Sequence, residues 1–385
     1  MGHARSKIWK GSFRFVMRIR PREELEGLAP TIHGGQGWKI SGVEDYSQNL
    51  NPMGAPPGLS EAVASSMYGL EHYPDADCTA LRNAIAKHHG LAMGNITIGA
   101  GSSEIIRGFP FAFLNKGDRV IVPRPSFAEY SQQIALAGAK ADYMDLLPEN
   151  DFHLDMEEVR SRIESGKYRA IYVCNPNNPT GRVESREDLE SIAKMCEERD
   201  MFMFLDETLL ELVADEPSVS LVPVIWKHPN LLIARSFTKS FAVPGVRVGY
   251  GVGNPELITL LQKVRLPWNI GTMEQAAAMF MAEHFEFAEQ AAAALKAEVP
   301  LMTEEVRKAG LPLEKETESF FYFTDLAPLK ITVADLKTEM LKRGIMIRDC
   351  ASFGYPTYIR FCVKDRERDA YFAEALKESL DALKP

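Results

Sequence analysis

Several short stretches of this chain hold residue types that could do chemistry together. Lys239 lies in Ser236-Phe237-Thr238-Lys239-Ser240, between hydroxyl side chains and after an apolar run, with Arg247 eight positions on. A lysine that must form an imine has to lose its proton near neutral pH, which desolvation and neighbouring positive charge favour. Asp206-Glu207 closes Met201-Phe202-Met203-Phe204-Leu205, a run too apolar to carry a carboxylate without a cationic partner. Gly99-Ala100-Gly101-Ser102-Ser103-Glu104 brings small residues and hydroxyls to a helix start, where free N–H groups and the helix dipole favour an anion. The third glycine of a dinucleotide fingerprint is missing there. Asn175-Pro176-Asn177-Asn178-Pro179-Thr180-Gly181 follows another apolar run, and its prolines and glycine fix an irregular backbone that aims amides in set directions. Taken singly, these are also what a Ser-capped turn, an Asn-rich turn, a helix cap and half of an ion pair look like.

The elements around them give the stretches a common place. Short β-rich runs alternate with helical patterns over 95–101, 118–123, 139–146, 168–176, 201–207, 230–237 and 246–252, which indicates βαβ units and a mainly parallel sheet. In an open α/β sheet, ligands sit beyond the C-terminal strand ends, where all of these stretches fall. A lysine, an aspartate able to meet a protonated pyridine nitrogen and a phosphate cradle together describe a pyridoxal 5'-phosphate site. The expected organisation is α/β, in three parts. Residues 1–58, without clear periodicity, form an N-terminal arm; 59–270 form the large domain; 271–385 form a smaller α+β domain that begins with a helical tract over 272–309.

Bulk properties narrow the classes. A chain of 385 residues suits two or three units at about 150 residues each. With 44 basic against 53 acidic side chains the net charge is −9, which gives no general pull towards nucleic acid. The basic first 25 residues are too few to make a DNA-binding domain, and they lack the apolar core and cleavage site of a signal peptide. No apolar run nears the ~20 residues of a membrane span. The five cysteines follow no CxxC or His-paired spacing, so reduced thiols in a cytoplasmic protein are expected, with no disulfide frame and no metal.

The order Asn175–Gly181, Asp206-Glu207, Ser236–Lys239 and Arg247 resembles the fold-type-I aminotransferase superfamily, and the match runs over most of residues 33–365. That resemblance implies that Lys239 carries the cofactor and transfers protons, that Asp206 pairs with the pyridinium nitrogen, and that Asn178 bonds the ring's 3-oxygen. Phe127 would stack on the ring. Ser102, Ser103, Ser236, Thr238 and Arg247 would surround the phosphate, and Tyr73 would reach that of a neighbouring subunit in a homodimer. Arg360 matches the arginine that grips a substrate α-carboxylate.

Within the superfamily, the stretches around His33-Gly34-Gly35, Asp45–Gly54, Tyr73–Asp77, Phe127–Tyr130, Leu266–Trp268 and Ile347–Cys350 resemble the L-threonine-O-3-phosphate decarboxylases of cobalamin synthesis. Histidinol-phosphate aminotransferases are the other near resemblance. Leu209 stands where these aminotransferases commonly have a tyrosine that bonds the cofactor, and leucine offers no donor. The resemblance implies decarboxylation of L-threonine O-3-phosphate to (R)-1-aminopropan-2-yl phosphate; the alternative is amino-group transfer from histidinol phosphate or a similar amine to 2-oxoglutarate. For the first, Arg360 and Asn178 would hold the carboxylate. Arg348 and the His33-Gly34-Gly35 loop would hold the distal phosphate, with Asn51 also at the substrate.

Overall fold

The computed structural model describes residues 20–25, 27–31, 34 and 37–384. In chain order its strands are β1 (Glu44–Asp45), β2 (Ile96–Gly99), β3 (Arg119–Arg124), β4 (Lys140–Asp145), β5 (Ala170–Cys174), β6 (Phe202–Asp206), β7 (Leu231–Ser236), β8 (Gly249–Gly253), β9 (Phe321–Asp325), β10 (Ile345–Met346), β11 (Arg348–Asp349) and β12 (Tyr358–Cys362). Seven of them form one sheet in the order β2-β8-β7-β6-β5-β3-β4. All run parallel except β8, which is antiparallel to both β2 and β7. The fold is therefore α/β with a mostly parallel sheet flanked by helices.

Central parallel strands are covered on both faces and so read as continuous apolar runs. Alternate residues go to opposite sides: Ile171, Val173, Met203 and Leu205 join one core, Ala170, Tyr172 and Phe204 the other. The covering helices are amphipathic and capped. In Arg186–Glu198, Ser185 accepts a hydrogen bond from the Asp188 amide, and Leu189, Ile192, Ala193 and Cys196 make the buried stripe. The buried charge on β7 enters this interior with partners. Arg235, the penultimate residue of buried β7, meets the Glu207 carboxylate at 2.6 Å and Glu216 at 2.7 Å. The carboxylate at position 207 thus ties β6 to β7, leaving its neighbour Asp206 free to face the strand ends.

The helical pattern over 272–309 is divided in two. Thr272–Ala282 lends Ala277, Ala278 and Met281 to the core of the large sheet, while Glu286–Ala309 lends Ala291, Leu295, Met302 and Val306 to a separate C-terminal core. That second core lies under the antiparallel sheet β11-β12-β9. The segment before residue 58 takes part in it as well. β1 pairs in parallel with β10, and Tyr46, fully buried, packs on Phe372 at 4.5 Å between ring centres. Residues 44–51 therefore connect the C-terminal sheet to the strand ends of the large one. Among the described residues, no helix is long and apolar enough to cross a membrane.

Candidate active site

Beyond the C-terminal ends of β5, β6 and β7 lies a cavity of about 770 Å³, bounded on its far side by β11, β12 and residues 47–49. Ser102, Ser103, Phe127, Asn178, Asp206, Ser236, Thr238, Lys239, Arg247, Gly34, Arg348 and Arg360 all line it. Residues separated by more than 300 positions in the chain are thus brought to one volume.

Lys239 sits in a single turn, Phe237–Ser240, that leaves the end of β7; Ser236 caps it, accepting from the Thr238 amide at 3.2 Å. The turn is also held from the arm. The Asn51 amide donates to the Lys239 carbonyl at 2.9 Å, and its side chain donates to the Ser240 carbonyl at 2.7 Å. Asn51, placed at the substrate by its sequence resemblance, is a brace for the lysine turn and does not line the cavity. Burial, reinforced by the Arg360 and Arg247 guanidinium groups, lowers the Lys239 ammonium to about 8. At pH 7 roughly one lysine in ten is then a neutral amine, against fewer than about one in a thousand for an ordinary lysine. Lowering the pKa makes the reactive form accumulate as pH rises through 8. Recombination of cofactor-free protein with pyridoxal phosphate, followed by absorbance, is expected to accelerate about tenfold from pH 7 to 9 and then level off. A rate still climbing in proportion to hydroxide at pH 10 would show an ordinary lysine.

Asp206 ends β6. Its Oδ1 accepts from the Thr208 amide at 2.9 Å and its Oδ2 from the Tyr130 hydroxyl at 2.7 Å. Burial pushes its carboxyl upward, and these donors pull the other way. No cation pairs with it among the described residues, so the carboxylate is prepared for one that a ligand brings. Phe127 is set nearly perpendicular to Tyr130, with ring centres 5.8 Å apart.

The phosphate end is built by close approach. Helix Ser102–Phe113 starts with no side chain capping it, leaving its first amides available. Gly249 lies so near that a Cβ there would stand 2.5 Å from the Ser102 amide nitrogen. At Gly101, φ is 72° and a Cβ would meet the Arg247 guanidinium at 2.6 Å. Any side chain at either position would push the arginine or the helix start away from a bound phosphate.

Opposite stands Arg360, 7% exposed. One of its nitrogens donates to the Ser47 carbonyl at 2.7 Å, another donates to the Asn178 side-chain oxygen, and its Nε has no partner. Burial lowers this guanidinium to about 10. Among the described residues it makes no ion pair, so a buried positive charge awaits an anion. Arg348 pairs directly with Arg360 across β11 and β12, and its guanidinium reaches Ser352 Oγ at 2.9 Å. Gly34 lies against it: a Cβ there would stand 3.0 Å from Arg348 Nη1. His33 and Gly35 lie outside the described residues. Tyr73 does not enter the cavity of its own chain; it is 80% exposed and rests on Trp268 at 4.6 Å between rings.

Two site residues carried no signal in the sequence strong enough to single them out. Tyr130 could have been found by its place three positions after Phe127, on the same side of a helix start. The Ser47 carbonyl could not, because backbone acceptors leave no trace in residue type. Elsewhere, Asp151, His153 and Glu318 offer ligand atoms within 4.8 Å of one another, but Arg182 and Lys315 already pair with their carboxylates.

A depressed lysine, a buried aspartate without a cation, an open helix start with an arginine over it and a sheet of this topology define a fold-type-I pyridoxal-phosphate enzyme. The sequence profile of the family "Aminotransferase class I and II" matches residues 43–376, and the chain belongs to that family. Pyridoxal 5'-phosphate is its cofactor, and the residues fit the group. The chain is 33% identical over 365 residues to a protein of Caldanaerobacter subterraneus subsp. tengcongensis named "Putative threonine-phosphate decarboxylase", covering 92% of this chain and 95% of the relative. It is 31% identical over 375 residues to the histidinol-phosphate aminotransferase of Halalkalibacterium halodurans, covering 94% and 98%. The fold is shared with the histidinol-phosphate aminotransferase of Sinorhizobium meliloti, solved in complex with pyridoxal-5'-phosphate: TM-score 0.83 at 19% identity, covering 96% of this chain and 100% of that one.

Proposed function

We propose that this enzyme removes the carboxylate of L-threonine O-3-phosphate, giving (R)-1-aminopropan-2-yl phosphate and carbon dioxide. The observation that carries the proposal is the pair Arg348 and Arg360. Directly opposed residues on antiparallel strands present their side chains to one face, so both guanidinium groups line the same cavity and suit a ligand with two anionic ends. A substrate with a carboxylate and a phosphate supplies both. The likeness to the Caldanaerobacter protein supports the same substrate, and Leu209, which lines the cavity, removes a hydroxyl that aminotransferases of this kind commonly use.

The cofactor supplies an electron sink for whichever bond at the substrate α-carbon stands perpendicular to its ring. The chain's residues decide which bond that is. Arg360, with Asn178 beside it, would hold the carboxylate; Arg348 and the glycine loop at Gly34 would hold the distal phosphate, so that rotation about the α-carbon is fixed at both ends. The bond from the α-carbon to the carboxylate breaks, its electrons stay on the carbon, and Lys239 would deliver a proton there. Asp206 would keep its negative charge opposite the ring nitrogen. We also propose a homodimer in the cytoplasm. The exposed Tyr73, Trp268 and Leu266 (71% exposed) support the first, and five unpaired thiols among the described residues support the second.

The second candidate is amino-group transfer from histidinol phosphate or a related amine, favoured by the Halalkalibacterium relative. Incubating the cofactor-loaded enzyme with L-threonine phosphate separates the two. Carbon dioxide released without any oxo acid supports decarboxylation, while turnover only with 2-oxoglutarate and an amino donor rejects it.

A further inference from the structure

We infer that Tyr130 is a positioning residue that keeps the shared proton on the cofactor's ring nitrogen rather than on Asp206. The inference does not depend on which substrate the enzyme takes.

Tyr130 is 1% exposed and its hydroxyl donates to Asp206 Oδ2 at 2.7 Å. Two side-chain hydroxyls, those of Tyr130 and Thr208, lie close enough to act on that carboxylate, and among the described residues Tyr130's is the one that makes a well-formed hydrogen bond to it. The other donor is the Thr208 backbone amide on Oδ1, which no substitution of side chain removes. Each oxygen thus has one donor, and each keeps a lone pair for a ligand. A hydrogen bond given to a carboxylate stabilises its charged form and lowers its appetite for a proton. A carboxylate this deeply buried needs that help, since burial alone drives it towards the neutral acid. Were Asp206 to take the proton, the ring nitrogen would be neutral and a poorer acceptor for electrons. The transfer involves only the proton between nitrogen and Oδ, with no change of oxidation state.

Tyr130 has a second hold on the same region. Its ring meets Phe127, the residue expected on the face of the cofactor, at 83° with centres 5.8 Å apart. One side chain therefore fixes both the carboxylate and the stacking ring. A built-in control stands next to it. Tyr172 is equally buried, packs on Tyr130 with ring centres 5.2 Å apart, and has a hydroxyl with no hydrogen-bond partner. Removing that hydroxyl takes the same atom from the same aromatic cluster without touching Asp206.

The test uses holoenzyme loaded with cofactor labelled with ¹⁵N in the pyridine ring. In the unsubstituted enzyme and in Tyr172→Phe the nitrogen resonance is expected at the position of a protonated pyridine. In Tyr130→Phe it is expected to move towards the unprotonated position. The same variant should lose about tenfold in cofactor affinity, the loss of one hydrogen bond to a charged group, and should lower kcat more than it raises KM. A Tyr130→Phe enzyme whose nitrogen resonance stays where the unsubstituted enzyme has it overturns the inference. So does an equal displacement in Tyr172→Phe, because the effect would then belong to packing.

Discussion

Lys239→Ala is expected to lower turnover by about four orders of magnitude while leaving the protein folded. The lysine does two things that no neighbour can take over. Its amine stands at the end of β7 in a turn braced by Ser236, Asn51 and the β7 backbone, and in the proposed reaction it would deliver the proton to the substrate. The brace does not involve its ε-amine, so alanine removes the chemistry and leaves the turn. Borohydride treatment followed by intact-mass measurement should find the cofactor attached to the unsubstituted protein and absent from the variant. A small primary amine added to the medium should restore part of the activity. Retention of activity within tenfold would mean that another group carries the cofactor.

Arg360→Met is expected to reduce kcat/KM by about 10²- to 10³-fold, equivalent to about 3–4 kcal/mol of lost transition-state binding. The size follows from burial. A surface arginine would lose little because water screens it. Arg360 is inside, its Nε has no partner, and its other contacts are neutral oxygens of Ser47 and Asn178. Methionine keeps much of the volume, so the sheet between β9 and β11 should stay packed. The comparison with Arg348→Met identifies which anion each arginine holds. Arg348→Met should weaken binding of the phosphorylated substrate far more than that of unphosphorylated L-threonine, and Arg360→Met should weaken both. If the two variants respond alike to loss of the phosphate, the division of labour is wrong.

Much of the site could be read from residue types because its chemistry demands particular ones. Lys239, Asp206 and the asparagine-proline segment stand at strand ends where apolar runs stop, and a carboxylate or amine in such a place is conspicuous. Cofactor and fold follow from that order. What could not be read is what the fold adds by tertiary contact. The pairing of Glu207 with Arg235 depends on the register between β6 and β7, and no local pattern shows it. The arm shows why periodicity fails for short pieces: β1 is two residues long, too short for any alternation, yet Tyr46 beside it is fully buried. Asn51 illustrates the reverse limit. Its type suits a ligand contact, and only the structure shows its amide bonded to the Ser240 carbonyl. The break between Ala282 and Glu286 is likewise set by which core each helix must cover, not by a proline or glycine at that point.

The most direct test of the proposed reaction asks which bond at the α-carbon opens. Cofactor-loaded enzyme would be given L-threonine O-3-phosphate in deuterium oxide, with no oxo acid, and followed by proton and phosphorus NMR. Loss of the carboxylate should yield an aminopropanol phosphate carrying one deuterium beside its nitrogen, while unreacted substrate keeps its α-proton. Exchange of that α-proton with the carboxylate still in place would contradict the account, because the carbon–hydrogen bond would then be the one held upright.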